Sequence, residues 1–407
     1  MFKLLFCRAG SSSLYLLCQR QVGFAYVPKL SLVNVKLKWV KDKALDAVVA
    51  REKDLRAVCH LVSIIASTPY CSLPIYQLNR QRGQFGLPHD LKISTFIRRY
   101  PTLFHEYPVA VREGCSGVPW FRLTDEALKL HQEELYILQQ NEKNLVERLQ
   151  KLLMLTRDRR LPLQTIDQLK WDMGLPNDYH NSLVPRYPQL FSLVRLVDDR
   201  IALKLLQWDD RLAVSQLQNS ASAEDSKEQE QGDQSLSFPI GFTRGFGLKR
   251  KCMEWLEEWQ RLPYTSPYAN ASHLDPRTDV SEKRIVGVFH ELLHLTLQKK
   301  TERKNVSNIR KPLCLPQKFT KVFGRHPGIF YISQKCSTQT VILREAYYRQ
   351  ELLQKHPLVG IRERYVDMMK TGLLNRSRGL YKKFISHSQE EEDPQLQDSD
   401  ELIQFPC

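Results

Sequence analysis

The stretch that decides the fold is Arg99-Tyr100-Pro101-Thr102-Leu103-Phe104, because its pattern returns twice along the chain. Residues 186–191 read RYPQLF, and residues 325–330 read RHPGIF. We call these three stretches the proline motifs. Internal repeats take priority in a fold argument, since each copy marks one supersecondary unit.

Two further landmarks keep the same order around each proline motif. A Leu-Pro pair precedes each copy at residues 87–88, 175–176 and 315–316, and a Glu-Lys pair lies farther upstream at residues 52–53, 142–143 and 282–283. From glutamate to the proline of the Leu-Pro pair, the separations are 36, 34 and 34 residues. The spacing predicts three tandem copies of one unit.

The elements of a unit follow from hydrophobic periodicity. In the first copy, Leu55, Val58 and Ile65 recur at helical spacing, which predicts a helix from about residue 44 to residue 66. Pro101 should end a third helix, and short alternating segments after it predict a β-hairpin. Three helices followed by a hairpin are the plan of a winged helix, although a protein-binding helical repeat would share that order of elements. We therefore expect a mainly α protein with short β-hairpins and three tandem winged-helix-like units.

The predicted boundaries divide the chain into eight parts. They are an organelle transit peptide at 1–30, repeat unit one at 36–124, unit two at 125–215, a disordered acidic linker at 216–237, a connecting helical segment at 238–281, unit three at 282–345, closing helices at 346–388 and a disordered acidic tail at 389–407.

The charge is unevenly distributed along this 407-residue chain. The formal net charge is +15, while residues 216–234 and 389–407 are both acidic, so the repeat-bearing body is more basic than the total suggests. Such a body attracts a polyanion, and nucleic acid is the first hypothesis. A ribosomal-type protein that is simply basic remains the alternative.

The first acidic residue is Asp42, and the preceding region carries arginine, lysine and serine among apolar residues. This composition predicts a transit peptide, with the mitochondrion favoured over the chloroplast. The nine cysteines form no Cys-x-x-Cys pair and indicate reduced thiols. We expect no membrane insertion, because no apolar run has the length of a spanning helix.

The segment His290-Glu291-Leu292-Leu293-His294 fits the H-E-x-x-H pattern of zinc peptidases. A zinc hydrolase is therefore a remote alternative. No glycine-spaced third histidine follows, and the segment falls on the core helix of unit three. We expect a surface or lightly packed histidine pair and no cofactor. Since Walker, G-x-S-x-G and dinucleotide patterns are also missing, the chain is not expected to be an enzyme.

Candidate RNA contacts are the cations on the third helix of each unit and on its flanks, because arginine and lysine bind phosphate. The predicted RNA-binding residues are Lys38, Lys41, Arg80, Arg82, Lys92, Arg98, Arg99, Arg157, Arg159, Arg160, Arg186, Lys249, Arg250, Lys251, Lys318, Lys321 and Arg325. Lys299, Lys300, Arg303 and Lys304 also flank unit three. For the repeated Arg99, Arg186 and Arg325, the alternative is that each ties down its own hairpin. Trp255 and Trp259 are expected in the core, since they share one helical face.

Several motifs together resemble the plant organelle RNA recognition (PORR) domain family, and in particular its What's This Factor members. They are the run from Lys38 to Asp46, the proline motifs, the Trp259-to-Tyr268 segment and the His-Glu-Leu-Leu helix. The resemblance implies a plant protein imported into mitochondria or chloroplasts. It also implies binding to group II intron RNA, and promotion of splicing together with other splicing factors in a ribonucleoprotein. His326, where the other copies have tyrosine, departs from the pattern.

Overall fold

The computed structural model describes residues 37–109, 117–225, 236–243 and 245–377, and the predicted transit peptide and acidic tail lie outside this range. Helices and small antiparallel sheets alternate along the chain. Before and within unit one, the elements are α1 Lys43–Arg51, α2 Leu55–Ala66, β1 Ser72–Pro74, α3 Ile75–Arg80, α4 Arg82–Phe85, α5 Ile93–Ile97, β2 Phe104–Val109 and β3 Val118–Leu123. Next, through unit two, come α6 Asp125–Gln140, α7 Glu142–Met154, β4 Arg160–Pro162, α8 Leu163–Met173, α9 Tyr179–Ser182, a 3₁₀ helix Val184–Arg186, β5 Phe191–Arg195 and β6 Ile201–Leu205.

The rest of the chain contains unit three and its flanking elements. These are α10 Gln216–Asp225, α11 Arg250–Gln260, α12 Asp279–Leu295, β7 Lys300–Glu302, α13 Arg303–Ser307, α14 Lys321–Arg325, β8 Phe330–Ser333, β9 Thr340–Leu343, a 3₁₀ helix Arg344–Ala346, β10 Tyr347–Tyr348, β11 Glu351–Leu352 and α15 Pro357–Ser377. None of the helices in the described part of the chain has the length and hydropathy needed to cross a bilayer.

Each unit builds a three-stranded antiparallel sheet with the same topology. The last strand of the unit lies between the other two, giving the orders β1-β3-β2, β4-β6-β5 and β7-β9-β8. The predicted hairpins are confirmed. The short first strand was not predicted, because three residues are too few to show alternation.

The three proline motifs form the same turn. The carbonyl of the residue before the proline, Tyr100, Tyr187 or His326, accepts hydrogen bonds from two amides at the start of the hairpin. The phenylalanine that ends each motif, Phe104 in unit one, begins the strand and is buried. Each motif therefore joins the last helical turn of a unit to its sheet.

A carboxylate near the start of the long helix holds the same residue of each motif. Tyr100 donates to Asp54 at 3.3 Å and Tyr187 donates to Glu142 at 2.9 Å, while His326 Nε2 lies 2.7 Å from Glu282. The equivalent acid in unit one is therefore Asp54. The Glu-Lys pair that begins at Glu52 is two residues out of register with the Glu-Lys pairs of the other two units.

A threonine after each long helix confirms this register. Thr68, Thr156 and Thr296 each donate to a helix carbonyl three residues back and accept the amide four residues ahead. The residue before that donating amide has a positive φ in all three units, at Cys71, Arg159 and Lys299.

The core is divided unequally among the units. Units two and three share one continuous apolar cluster that includes Trp255 and Trp259, so both tryptophans are core residues as predicted. Unit one has its own cluster, completed by Ile361, Tyr365 and other residues of α15.

The two ends of the described chain cross over to distant units. Asp46 of α1 accepts hydrogen bonds from Tyr331 at 2.9 Å and Ser333 at 2.6 Å, both in the unit-three sheet. At the other end, Met368 of α15 accepts from Thr102 in the first proline motif at 2.7 Å. These contacts tie the units into one body.

Three sequence predictions are corrected by the structure. The single helix expected over 44–66 is two helices, because the backbone turns at Asp54, which has φ 67°. The linker predicted at 216–237 begins with helix α10, whose Leu217 is buried. In the segment predicted as closing helices, residues 347–352 form a short hairpin, and one helix, α15, follows.

Gly174 gives the first testable prediction. It has φ +76°, and a Cβ there would lie 2.5 Å from Leu297 Cδ1 and 3.2 Å from Leu358 Cδ1. Gly174→Ala should therefore lower the free energy of unfolding in urea by about 1–3 kcal/mol. Gly83→Ala is the control, since a Cβ at Gly83 would meet nothing within 4 Å. Equal stability of the two variants would contradict this packing.

A second prediction concerns acid stability. His356 Nδ1 accepts the Leu358 amide at the start of α15, and burial together with nearby arginines lowers the pKa of His356 from 6.5 to about 4. The unfolded chain then binds the extra proton first, so stability should fall as pH drops from about 6.5 to about 4. His356→Asn keeps a capping acceptor and removes this titration. Its loss of unfolding free energy between pH 7 and pH 5 should be smaller by about 1 kcal/mol, and an unchanged loss would oppose the assignment.

Candidate nucleic-acid interface

The structure separates the predicted RNA-binding residues into exposed and internally bonded groups. Ten of them are exposed, and their charged groups form no ion pair or hydrogen bond within the part of the chain that the structure describes. They are Lys38, Lys41, Arg80, Lys92, Arg157, Arg159, Lys249, Lys251, Lys318 and Lys321. The remainder are held by carboxylates or carbonyls, or are only partly exposed. These unpaired, exposed cations can bind a phosphate without first breaking a bond within the protein.

Several predicted arginines bind their own unit. Arg98 donates to both carboxylate oxygens of Glu106 at 2.6 and 2.5 Å. Arg82 donates to three carbonyls of the loop at residues 88–91. Arg160 lies 3.4 Å from Asp158, and Arg250 lies 2.8 Å from Glu254. Arg99 is partly buried in the first proline motif.

The arginines of the second and third proline motifs support the hairpin alternative. Arg186 lies 2.5 Å from Glu142, and Arg325 lies 3.0 Å from Glu282, the same carboxylates that hold Tyr187 and His326. Each carboxylate therefore joins two consecutive motif residues to the long helix. These arginines stabilise the units, and their conserved spacing within the chain needs no RNA contact to explain it.

Two of the flanking lysines in unit three are corrected by the structure. Lys299 and Lys300 are each 8% exposed. Lys299 donates to the carbonyls of His294 and Thr296 at the end of α12, and burial lowers its pKa to about 7. Lys300 lies 2.7 Å from Glu52 and so joins unit three to unit one. Neither ammonium group is placed to bind phosphate.

Units two and three meet at a contact flanked by two depressions. The amide of Arg157 donates to the Pro312 carbonyl at 3.0 Å, which joins the loop after α7 to the segment after α13. Residues next to this contact line two depressions, one of about 650 Å³ and one of about 670 Å³. We call this contact with its two depressions the inter-unit groove.

Cations line both sides of the inter-unit groove. Arg157, Arg159 and Arg284 line the first depression, with Trp208 at its edge. Arg160, Arg200, Arg310 and Lys311 line the second, where the acid is Asp158. The groove therefore combines three of the predicted residues with four cations that the sequence analysis did not select. These four cations lie on segments that are distant in sequence and meet only in the folded protein. The sequence therefore gives no sign that they lie close together.

Two side chains give the first depression a chemistry suited to a nucleic acid. The Trp208 side chain is exposed, and its Nε1 donates to Asp210 at 2.8 Å, which orients the indole. Arg284 is partly buried, and its Nε is buried with no hydrogen-bond partner in the described residues. Burial lowers the pKa of Arg284. An exposed indole offers a stacking face for a base. The guanidinium of Arg284 adds positive charge to the same depression, and its Nη2 donates to the Pro267 and Ala269 carbonyls at 3.5 and 3.4 Å.

A second basic region lies on helices α11 and α14. Arg325 of α14 lies 5.9 Å from the ring centre of Trp255 in α11, so these two helices are neighbours. Lys249 and Lys251 are at the start of α11, and Lys318 and Lys321 are at the start of α14. All four are exposed.

The His-Glu-Leu-Leu-His segment is buried in α12, which corrects the expectation of a surface pair. His290 is 2% exposed and Glu291 is 1% exposed. Glu291 accepts from Tyr268 at 2.7 Å and from the Gln216 amide at 2.6 Å, and lies 2.8 Å from Lys151. A carboxylate with these partners has no access to a substrate water, so Glu291 cannot serve as the general base of a zinc peptidase.

A pair of variants tests the division between structural and exposed cations. Arg325→Ala removes the contact with Glu282 and should lower the free energy of unfolding by about 1 kcal/mol. Lys321→Ala removes the same charge four residues earlier from an exposed position, and its stability should stay within about 0.5 kcal/mol of the original. Urea unfolding of the two variants measures the difference. Equal losses would mean that Arg325 has no structural role.

Comparisons with known proteins identify the family to which the chain is similar. The family model described as the plant organelle RNA recognition domain matches residues 40–374. Protein WHAT'S THIS FACTOR 9, mitochondrial, from Arabidopsis thaliana is 36% identical over 359 residues, which cover 86% of this chain and 89% of the relative. Protein WHAT'S THIS FACTOR 1, chloroplastic, from Zea mays is 31% identical over 392 residues, covering 91% and 78%.

A more distant relative and the solved structures complete the comparison. Protein ROOT PRIMORDIUM DEFECTIVE 1 from Arabidopsis thaliana is 28% identical over 374 residues, covering 86% of this chain and 90% of the relative. No solved structure matches the chain significantly. Because the family model spans nearly the whole described body and two relatives exceed 30% identity across most of their length, the chain belongs to the plant organelle RNA recognition domain family.

Proposed function

We propose that this protein binds organellar intron RNA and promotes group II intron splicing as a non-catalytic part of a ribonucleoprotein. The observation that carries the proposal is the inter-unit groove, where cations of two units line two depressions and an exposed tryptophan lines the first of them. Membership in a family defined by organelle RNA recognition supports the class of ligand.

The three units act as winged-helix-like modules in this proposal. Each combines helices with a hairpin whose sheet includes one strand from between the helices. Modules of this kind can present a helix and a hairpin to a nucleic acid. We further propose that the body of the protein comprises unit one at 36–124, unit two at 125–215 and unit three at 282–345. The crossing contacts of α1 and α15 support a fixed arrangement of these units.

RNA lies across the boundary between units two and three in this proposal. Arg157, Arg159 and Lys311 contact phosphates, since all three are exposed beside the groove. Trp208 stacks on a base of an unpaired segment, because stacking needs only an accessible aromatic face. Intron RNA has such unpaired loops and junctions, and proteins read RNA chiefly where bases are unstacked.

Splicing benefits from binding alone. A group II intron supplies its own active site, and its difficulty is to hold one tertiary arrangement of a polyanion. A rigid basic body that binds that arrangement more tightly than its alternatives shifts the population of RNA toward it. In this proposal the intron RNA needs no reaction centre on the protein. This agrees with the contacts of Glu291, whose carboxylate is bound by Lys151 and Tyr268.

The proposed location is an organelle, with the mitochondrion ahead of the chloroplast. One relative with 36% identity is named as mitochondrial, and another with 31% identity is named as chloroplastic. Residues 1–30, which hold no acidic residue, are proposed as the transit peptide. The intron RNA and the other splicing factors would then meet the protein in the same compartment.

Neutralisation of the groove tests the proposal in vitro. Arg157→Ala with Lys311→Ala should weaken binding to single-stranded intron RNA and reduce the slope of log affinity against log salt by about 1.4, since each lost phosphate contact removes about 0.7. Lys355→Ala with Lys370→Ala is the control, because both lysines are exposed and outside the groove. Filter binding at several salt concentrations measures both pairs. Equal slopes in the two double variants would reject the groove as the RNA site.

The splicing role needs a separate test in the organism. Loss of the protein should leave unspliced organelle introns, and the wild-type gene should restore splicing while the groove double variant restores it poorly. Normal splicing of all organelle introns in the absence of the protein would reject the role. Co-sedimentation with ribosomal subunits and a translation defect in such plants would instead favour the alternative of an organelle ribosome component.

A further inference from the structure

Two histidines and a glutamate meet in a small polar cluster within unit three. His290 and His294 are one turn apart on α12, and Glu345 lies in the 3₁₀ helix that follows β9. The Nε2 atoms of both imidazoles lie 2.8 Å from the same carboxylate oxygen, Glu345 Oε1. One ligand atom from each of the three side chains falls within a span of 4.8 Å.

The cluster is largely enclosed by protein. The side chains of His290, His294 and Glu345 are 3%, 15% and 18% exposed. The ring of Phe238 packs edge-on against His290 at 5.3 Å. One face stays open, because Glu345 also lines a depression with Asp42 and Tyr347. An ion can therefore reach the cluster from solvent while apolar groups cover its other side.

The hydrogen bonding within the cluster is lopsided. Both imidazoles are hydrogen-bonded to Glu345 Oε1, while Glu345 Oε2 is buried and has no partner among the described residues. A buried carboxylate oxygen that has lost its water and gained no donor carries a substantial free-energy cost. A bound cation would satisfy this oxygen.

We propose that His290, His294 and Glu345 form a structural zinc site that joins α12 to the segment after β9. The two Nε2 atoms and one oxygen of Glu345 supply three protein ligands, and a water from the open face would complete the four-coordinate arrangement that zinc adopts. Ligand atoms around tetrahedral zinc are about 3.3 Å apart, so small side-chain rotations would open the 2.8 Å contacts enough to admit the ion.

The proposed site is not a peptidase centre. The glutamate of the H-E-x-x-H pattern, Glu291, is bound by Lys151 and Tyr268 and lies apart from the cluster. The ligand that completes the site, Glu345, comes from a different element 51 residues beyond His294. The role left for the metal is to fix the end of the unit-three sheet to its long helix, and this inference does not rest on RNA binding.

Metal analysis of the full chain, purified without a polyhistidine tag, tests the site directly. We expect about one zinc per chain after dialysis against metal-free buffer. Removal of the metal with a chelator should lower Tm, and added zinc chloride should restore it, with a shift of several degrees at a zinc concentration about 100-fold above Kd. A wild-type protein that retains no zinc and whose Tm does not respond to zinc would overturn the proposal.

Matched variants assign the metal to these residues. Glu345→Gln and His294→Gln should each weaken zinc binding by about tenfold or more, because each removes a ligand from the site. His273→Gln, a substitution at an exposed histidine outside the cluster, should bind zinc like the original protein. Far-ultraviolet circular dichroism verifies that each variant is folded. Folded Glu345→Gln and His294→Gln proteins that bind zinc as tightly as the wild type would also overturn the assignment.

Discussion

One recurring contact, between a carboxylate and the residue before the repeated proline, holds each unit together. Asp54, Glu142 and Glu282 stand near the start of the long helices, and each binds the tyrosine or histidine of its own proline motif. The same motif residue uses its carbonyl to begin the hairpin. A single residue therefore connects helix, turn and sheet. The substitution of histidine at position 326 preserves the contact, because an imidazole N–H can replace a phenol O–H as donor.

The joined units depend on the two ends of the body. Helix α1 packs on the sheet of unit three through Asp46, and α15 completes the core of unit one. Arg362 of α15 is buried and donates to the Trp171 carbonyl at 2.6 Å. Its guanidinium lies 3.8 Å from the centre of the Trp171 ring. Because these contacts link elements far apart in the chain, the geometry of the inter-unit groove is set by the whole body rather than by one unit.

The positive charge of the protein serves two purposes that composition cannot separate. Arg186 and Arg325 are committed to carboxylates of their own units, and Lys299 to the end of a helix. Arg157, Arg159 and Lys311 remain at the surface beside the groove. An arginine repeated in each unit is easily taken for a ligand contact. Arg186 and Arg325 share a carboxylate contact within their own units, whereas no such ion pair is found for Arg99 among the described residues.

The sequence by itself determined the repeated proline motifs and the hairpin after each of them, because these depend on local backbone preferences and short-range periodicity. It also determined the core positions of Trp255 and Trp259. It expected His290 and His294 to be a surface or lightly packed pair, whereas His290 is buried, and it placed the first acidic landmark at Glu52 rather than Asp54. Only the tertiary structure decided which cations are exposed, where Glu345 meets the two histidines and how Arg310 and Lys311 come to lie near Arg160. These outcomes depend on contacts between residues tens to hundreds of positions apart, and burial and partner choice at such distances are properties of the packed chain.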